Sequence, residues 1–174
     1  KAHHLLIAAA VLLMAVGCKK NEPQMTAMEY AMSLGPGWNL GNNMDAPANG
    51  VACEEGFGNE PATAAAFKTA AAAGFKAVRI PCTWMGNVGE APEYQLNEAR
   101  LERLAELVYA AHAEGLKVIV NIHHDGFGAE FDSLRRQSHW LDVKAASLDD
   151  ARNAAIKEKL AAVWSQVAKR FAND

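Results

Sequence analysis

The chain has 174 residues, which is enough for one domain of ordinary size, and 51% of them are hydrophobic. Its 17 Lys and Arg side chains and 20 Asp and Glu side chains give a formal net charge of −3 at pH 7. A mildly acidic chain without a basic cluster does not fit a nucleic-acid partner.

The start of the chain has the composition of an export signal rather than of a folded domain. The apolar run LLIAAAVLLMAVG is too short to cross a bilayer comfortably as a helix and is typical of a signal peptide. Its end, AVGC, resembles the signal of bacterial lipoproteins, in which Cys18 would carry the lipid; the alternative is an ordinary secretory peptide with a chance cysteine. We predict a signal peptide at 1–17, a polar tether at 18–30 and a domain at 31–174. The protein is expected to be secreted, or held at the bacterial cell surface or in the periplasm, with a lipid anchor as its only membrane attachment.

The rest of the chain alternates strands with helices. The predicted elements are, in chain order, a strand at 35–41, a helix at 62–73, a strand at 75–81, a helix at 97–114, a strand at 116–122 and a helix at about 149–171. The second and third strands are nearly continuous apolar runs, as expected when both faces of a parallel sheet are covered. This order predicts an α/β fold.

The connections differ in length at the two ends of the predicted sheet. Gly74 and Gly115 make short turns from helix to strand, whereas the loops from strand to helix have about 20, 15 and 25 residues. These long loops open at the carboxyl ends of the strands, where α/β proteins bind ligands. We therefore expect a functional site at this end.

Polar side chains follow the first strand closely. Asn39, Asn42, Asn43 and Asp45 place several donors and acceptors together, although Asn and Asp also favour turns for backbone reasons.

Arg79 lies inside the second strand among apolar neighbours, where a fixed charge needs a carboxylate or several acceptors. It either forms a structural ion pair or holds a catalytic carboxylate ionised and in position. Trp84, beyond this strand, is either part of the core or a platform for a sugar ring. Cys82 is expected to be buried, and whether it pairs with Cys53 stays open.

The third strand ends in NIHHDG, and this polar ending predicts a pocket above the sheet. Because side chains alternate along a strand, His123 and His124 point in opposite directions and cannot easily bind one metal together. In the following loop, Trp140 beside His139 either anchors the loop or grips a pyranose ring.

Four motifs in chain order resemble glycoside hydrolase family 5, the endoglucanase-type (β/α)8 barrels: GWNLGNNMDAP, FKAVRIPCTW, GLKVIVNIHHDG and VWSQVAKRFAND. The resemblance implies that the domain is the N-terminal part of such a barrel, with about three βα units. It implies an endo-acting, retaining hydrolase of β-1,4-glucan-type polysaccharides such as cellulose, xyloglucan or mixed-linkage glucan. Its partner would be a β-glucan polysaccharide or oligosaccharide, and it would need no metal or organic cofactor.

The resemblance also implies roles for matched residues. Arg79 corresponds to the arginine near the family's nucleophile, and His123 to the histidine that contacts the sugar beside the cleaved bond. The other matched positions commonly line the substrate cleft, with Trp140 the weakest match. The implied substrate-binding residues are Asn42, Asp45, Arg79, His123, His124 and Trp140.

Both catalytic glutamates of the family, the acid/base that ends the fourth strand and the nucleophile that ends the seventh, are expected beyond Asp174. Asn59-Glu60-Pro61 spells the acid/base motif, but it follows no apolar strand, so we predict that it caps the first helix. The 174-residue chain by itself is therefore expected to have no glycosidase activity.

Two other functions stay open. A non-catalytic, glycan-binding lipoprotein would keep the cleft without the chemistry and would cover its exposed sheet edge with a partner chain or a second copy. A different barrel enzyme would depend on a metal bound through His123 and His124.

Overall fold

The computed structural model describes residues 25–123, residue 141 and residues 149–172. The predicted signal peptide, with Cys18 and the first part of the predicted tether, lies outside these residues. The helices and strands are, in chain order, α1 (Ala27–Ser33), β1 (Gly37–Asn39), β2 (Pro47–Ala48), β3 (Val51–Ala52), α2 (Ala64–Ala72), β4 (Ala77–Cys82), α3 (Glu98–Ala113), β5 (Lys117–Ile122) and α4 (Asp150–Phe171).

Three strands form a parallel sheet in the order β1-β4-β5. In the register, Trp38 of β1 lies beside Val78 of β4, which lies beside Val118 of β5. Helices α2 and α3 are the crossovers between these strands, so the predicted α/β class with a parallel sheet is confirmed.

The helices cover one face of this sheet. Val78, Ile80 and Cys82 of β4 are fully buried on that face. They belong to one apolar cluster, to which α2, α3 and α4 all contribute, and its largest fully buried helix side chains are Phe67, Leu104, Leu107 and Val163. Each such side chain contributes about 1.5–3 kcal/mol to stability by leaving water.

The other face of the sheet has a different composition. Side chains alternate along a strand, so the aligned residues Asn39, Arg79 and Ile119 point away from the helices. Ile119 is exposed there. The apolar runs of the sequence predict coverage on both faces, whereas within the described ranges the helices cover one.

Helix α1 begins inside the segment that the sequence assigns to the tether. Thr26 and Glu29 form a capping box: the Thr26 hydroxyl accepts from Glu29 N at 3.2 Å, and the Glu29 carboxylate accepts from Thr26 N at 2.8 Å. At the other end of α1, Lys117 Nζ donates to Ser33 O at 2.7 Å. This bond ties α1 to the amino end of β5, opposite the predicted site.

The three longer helices lie within their predicted ranges. Asn97 caps α3 as predicted, with its side chain accepting from Arg100 N at 3.0 Å. In α2, however, Thr63 occupies the N-cap position without a side-chain cap bond, and the helix begins at Ala64. Pro61 therefore lies before the cap and not in the first turn, contrary to the prediction. Among the described residues, none of the helices combines the length and apolar character that a membrane crossing requires.

Candidate functional site

The residues of the candidate site lie within or just after β1, β4 and β5, toward the carboxyl end of the sheet. Arg79 in β4 is half-buried, and its Nη1 donates to Asn39 Oδ1 of β1 at 2.6 Å. His123 follows β5, and its backbone N–H donates to Cys82 O at 2.9 Å, which extends the ladder beyond the strand. The parallel register of the sheet thus fixes the backbone positions of both Arg79 and His123.

The partner of Arg79 is an amide, not a carboxylate. In the part of the chain that the structure describes, Arg79 takes part in no ion pair. A guanidinium has five N–H donors, and one bond to Asn39 leaves most of them for another acceptor. Its planar shape suits a carboxylate. The structural ion pair considered from the sequence is therefore not formed within the described residues.

Asp45 belongs to the loop that follows β1 and is buried, with only 4% of its surface exposed. Its Oδ1 accepts from Asn43 N at 2.9 Å, which closes a local turn. Its Oδ2 lies 3.7 Å from Nε2 of His123, whose side chain is 39% exposed. Asp45 therefore lies behind the imidazole, and the side chain of His123 stays partly exposed.

A buried arginine supports this loop from below. Arg100 of α3 donates through Nη2 to the backbone oxygens of Met44 and, at 3.3 Å, Thr83. It joins the loop after β1 to the end of β4, and sequence reasoning missed it. Because Arg100 precedes Leu104 by four residues and Leu107 by seven, its position on the buried stripe of α3 was the available signal.

A second network anchors the outer part of the same loop. Glu54, whose side chain is 12% exposed, receives bonds from Arg103 Nε at 2.6 Å and from Ala62 N at 3.0 Å. Burial alone would raise the pKa of Glu54, but the bonds from Arg103 and Ala62 and the charges of Arg103 and Arg100 outweigh it, and the pKa is lowered. In return, the hydrogen bond to Glu54 is the largest cause of the raised pKa of Arg103.

The loops after β1 and β4 pack against each other. Ala52 N, in the β2–β3 hairpin, donates to Met85 O at 2.8 Å. At Gly86, which has a φ of 66°, a Cβ atom would lie 3.0 Å from Gly50 O, so the close approach requires glycine. The two loops therefore pack into one continuous rim beside the carboxyl ends of the strands.

The remaining predicted site residues fall into two groups. Asn42 is exposed, has a φ of 58°, and accepts at its backbone oxygen from Asn59 Nδ2 at 2.8 Å. His124 and Trp140 lie outside the described residues.

Two residues left open by the sequence are resolved by their burial. Trp84 is 2% exposed and part of the core, so it is not a platform for a sugar ring. Cys53 and Cys82 are both free thiols and do not pair with each other. Burial raises the pKa of Cys82 to about 12, so this thiol is inert near neutral pH.

Within residues 25–123, 141 and 149–172, no group of three or more His, Cys, Asp and Glu side chains is placed to hold a metal ion. Asp45 and His123 are a pair. What the described strand ends offer chemically is a fixed guanidinium, an accessible imidazole and neutral amides. Such a set can orient a carboxylate and hydrogen-bond the hydroxyl groups of a sugar.

Comparisons with known proteins agree with this geometry. Residues 41–174 match the family model described as Cellulase (glycosyl hydrolase family 5). Endoglucanase A of Paenibacillus barcinonensis is 38% identical over 147 residues, which cover 84% of this chain and 34% of that protein. The chain thus spans about a third of the length of the curated relatives it matches.

Solved structures give the same result. A native Bacteroidetes-affiliated GH5 cellulase linked with a polysaccharide utilization locus is 53% identical, with a TM-score of 0.79, over 83% of this chain and 37% of that chain. A family 5 xyloglucanase from Paenibacillus pabuli is 41% identical, with a TM-score of 0.72, over 83% of this chain and 37% of that chain.

Proposed function

The chain belongs to glycoside hydrolase family 5, the cellulase family, and from that premise we propose that the protein is an endo-acting, retaining hydrolase of β-1,4-glucan polysaccharides. Cellulose, xyloglucan and mixed-linkage glucan are the candidate substrates. The similar proteins are named endoglucanases, cellulases and xyloglucanases, which supports this substrate class.

One observation carries the proposal. The sheet presents Arg79 and His123 on the side away from the helices and toward its carboxyl end, with a buried carboxylate, Asp45, behind the imidazole. In α/β proteins this end is where substrates bind. A lone charged residue is often structural, whereas a fixed cation and a partly exposed imidazole at the same end of a family 5 sheet support a sugar-cleaving site.

Retention at the cleaved bond requires two carboxyl groups about 5 Å apart, one as nucleophile and one as acid and then base. We expect both glutamates beyond Asp174, as the family resemblance implies. Arg79 would keep the nucleophile ionised and oriented, because an adjacent positive charge favours the carboxylate form. His123 would bind a hydroxyl of the sugar beside the bond to be cleaved, and Asn42 would contribute at the rim.

The test is hydrolysis by the full-length protein. Soluble β-glucan, xyloglucan and mannan are incubated with it, and the fall in viscosity is compared with the release of reducing ends. A fast fall in viscosity on the β-glucans identifies endo action, and the anomer formed first, followed by NMR, identifies retention. Binding without turnover would instead favour the glycan-binding lipoprotein. Arg79→Ala protein purified in parallel controls for contaminating hydrolase.

We further propose that the protein is exported and anchored by a lipid on Cys18. This rests on the sequence AVGC after an apolar run. Wild type and Cys18→Ser are compared by incorporation of labelled palmitate and by detergent partitioning. Equal partitioning of the two into the aqueous phase would contradict the anchor and leave a secreted protein.

A further inference from the structure

The contact between Asn39 and Arg79 points to roles for Asn39, the last residue of β1, and for Gly41, two residues further on. We propose that Asn39 is a positioning residue that fixes the guanidinium of Arg79 for catalysis, and that Gly41 is required because it leaves room for the Asn39 side chain. This inference rests on the proposed hydrolase function.

The register of the sheet brings the two side chains together. Asn39 and Arg79 are aligned partners in β1 and β4, and aligned residues of parallel strands point to the same face. The bond from Arg79 Nη1 to Asn39 Oδ1 is 2.6 Å long. Within the described ranges it is the hydrogen bond that the guanidinium makes, so the orientation of a long, flexible side chain depends on it.

The chemical type of the partner matters as much as its position. An aspartate at position 39 would also accept from Arg79, but it would cancel the positive charge. A neutral amide orders the side chain and leaves the full charge for an incoming carboxylate. Asn39 thus orients Arg79 without neutralising it.

Gly41 adds an independent observation. A Cβ atom at Gly41 would lie 2.8 Å from Nδ2 of Asn39, so close that one of the two groups would have to shift. The side chain of Asn39 would shift to relieve this contact, and we expect this shift to weaken its bond to Arg79. Gly37, two residues before Asn39, points to the same face, yet a Cβ there would lie at ordinary contact distance, 3.7 Å from Ala77 O. Gly37→Ala is therefore the matched control for Gly41→Ala.

The experiment measures kcat, KM and the pH profile of full-length enzyme carrying Asn39→Ala, Asn39→Asp, Gly41→Ala or Gly37→Ala. We expect Asn39→Ala to lower kcat about tenfold or more with little change in KM, since misplacing a group by about 1 Å can cost about a hundredfold. Gly41→Ala should behave like Asn39→Ala, and Gly37→Ala like wild type. Asn39→Asp should move the acidic limb of the kcat/KM profile to higher pH, because a neutralised Arg79 would support the ionised nucleophile less.

A double-mutant cycle tests whether Asn39 acts through Arg79. Asn39→Ala combined with Arg79→Ala should be no slower than Arg79→Ala alone. Additive losses would overturn the inference, and so would an unchanged kcat and pH profile in the Asn39 variants of an active enzyme.

Thermal unfolding of each variant separates misfolding from misplacement, since a merely structural role would lower the melting temperature and leave the kcat of folded enzyme unchanged. If wild type hydrolyses no β-glucan at all, the proposed function itself fails, and this inference fails with it.

Discussion

The two faces of the same three strands are built for different tasks. On the helix side, Val78 and Ile80 are fully buried in a continuous apolar cluster. On the other side, their chain neighbour Arg79 bonds to Asn39 and stays accessible. Within β4, Arg79 therefore lies between two core positions, Val78 and Ile80, and these adjacent positions should respond to substitution in opposite ways.

The largest expected effect is on the helix side. Ile80→Ala removes a fully buried side chain and leaves a cavity, so the free energy of unfolding should fall by about 2–5 kcal/mol. Urea unfolding of the full-length protein measures this. The kcat of the molecules that remain folded should not change, and a lower kcat at unchanged stability would break the division between the faces.

The next effect is on the open side. Arg79→Ala should lower kcat about a hundredfold, which corresponds to about 2.7 kcal/mol. The free energy of unfolding should change by no more than about 1 kcal/mol, since one hydrogen bond to a neutral amide is lost. Arg79→Lys keeps the charge without the planar fork and should recover only part of the rate. A loss of stability as large as that of Ile80→Ala would show that Arg79 is a core residue.

A smaller effect is expected at the ion pair between Glu54 and Arg103, which anchors the loop after β1 and contributes directly to neither face. The pKa of Glu54 lies below its ordinary value of 4.5 in the folded protein, so its contribution to stability is present above about pH 4.5 and is lost as the pH falls through the lower folded value. Glu54→Gln should destabilise the protein by about 1–3 kcal/mol at pH 7 and flatten the fall in stability on acidification. Acid unfolding of Glu54→Gln and of the exposed neighbour control Glu55→Gln measures the difference. Equal acid sensitivity in wild type and Glu54→Gln would contradict the role of the anchor.

The smallest expected effect concerns Cys82, whose thiol should not react with a thiol reagent in the native protein. With a pKa of about 12, about one in ten thousand Cys82 thiols is ionised at pH 8. A thiol reagent should label partly exposed Cys53 in the native protein and reach Cys82 only in denaturant, with Cys53→Ser as the control. Fast native labelling of Cys82 would show that the helix side opens.

The sequence predicted the framework because its signals were local or periodic. Asn97 could be recognised as a cap, and the apolar spacing of α3 located that helix within one residue at each end. The placement of Arg79 inside the second strand and of His123 at the end of the third followed from the same patterns. Helix α1 was overlooked although Thr26 and Glu29 carry a capping box.

The rest depended on contacts between distant parts of the chain. Nothing local in the sequence aligns Asn39 with Arg79, because the two residues lie 40 positions apart and meet only through the register of β1 and β4. Burial likewise decided that Trp84 is core and that Asp45 lies behind His123. Such placements are properties of the assembled sheet.

The anchor at Glu54 has a consequence for how this protein can be altered. The turn just beyond it ends at Gly58, where an added Cβ would meet nothing within 4 Å, before Asn59 returns to hold Asn42. Since the ion pair with Arg103 fixes the loop on the inner side of that turn, extra residues placed after Gly58 would lengthen a surface tip without disturbing what lies below it. This position is therefore suited to the insertion of a reporter peptide.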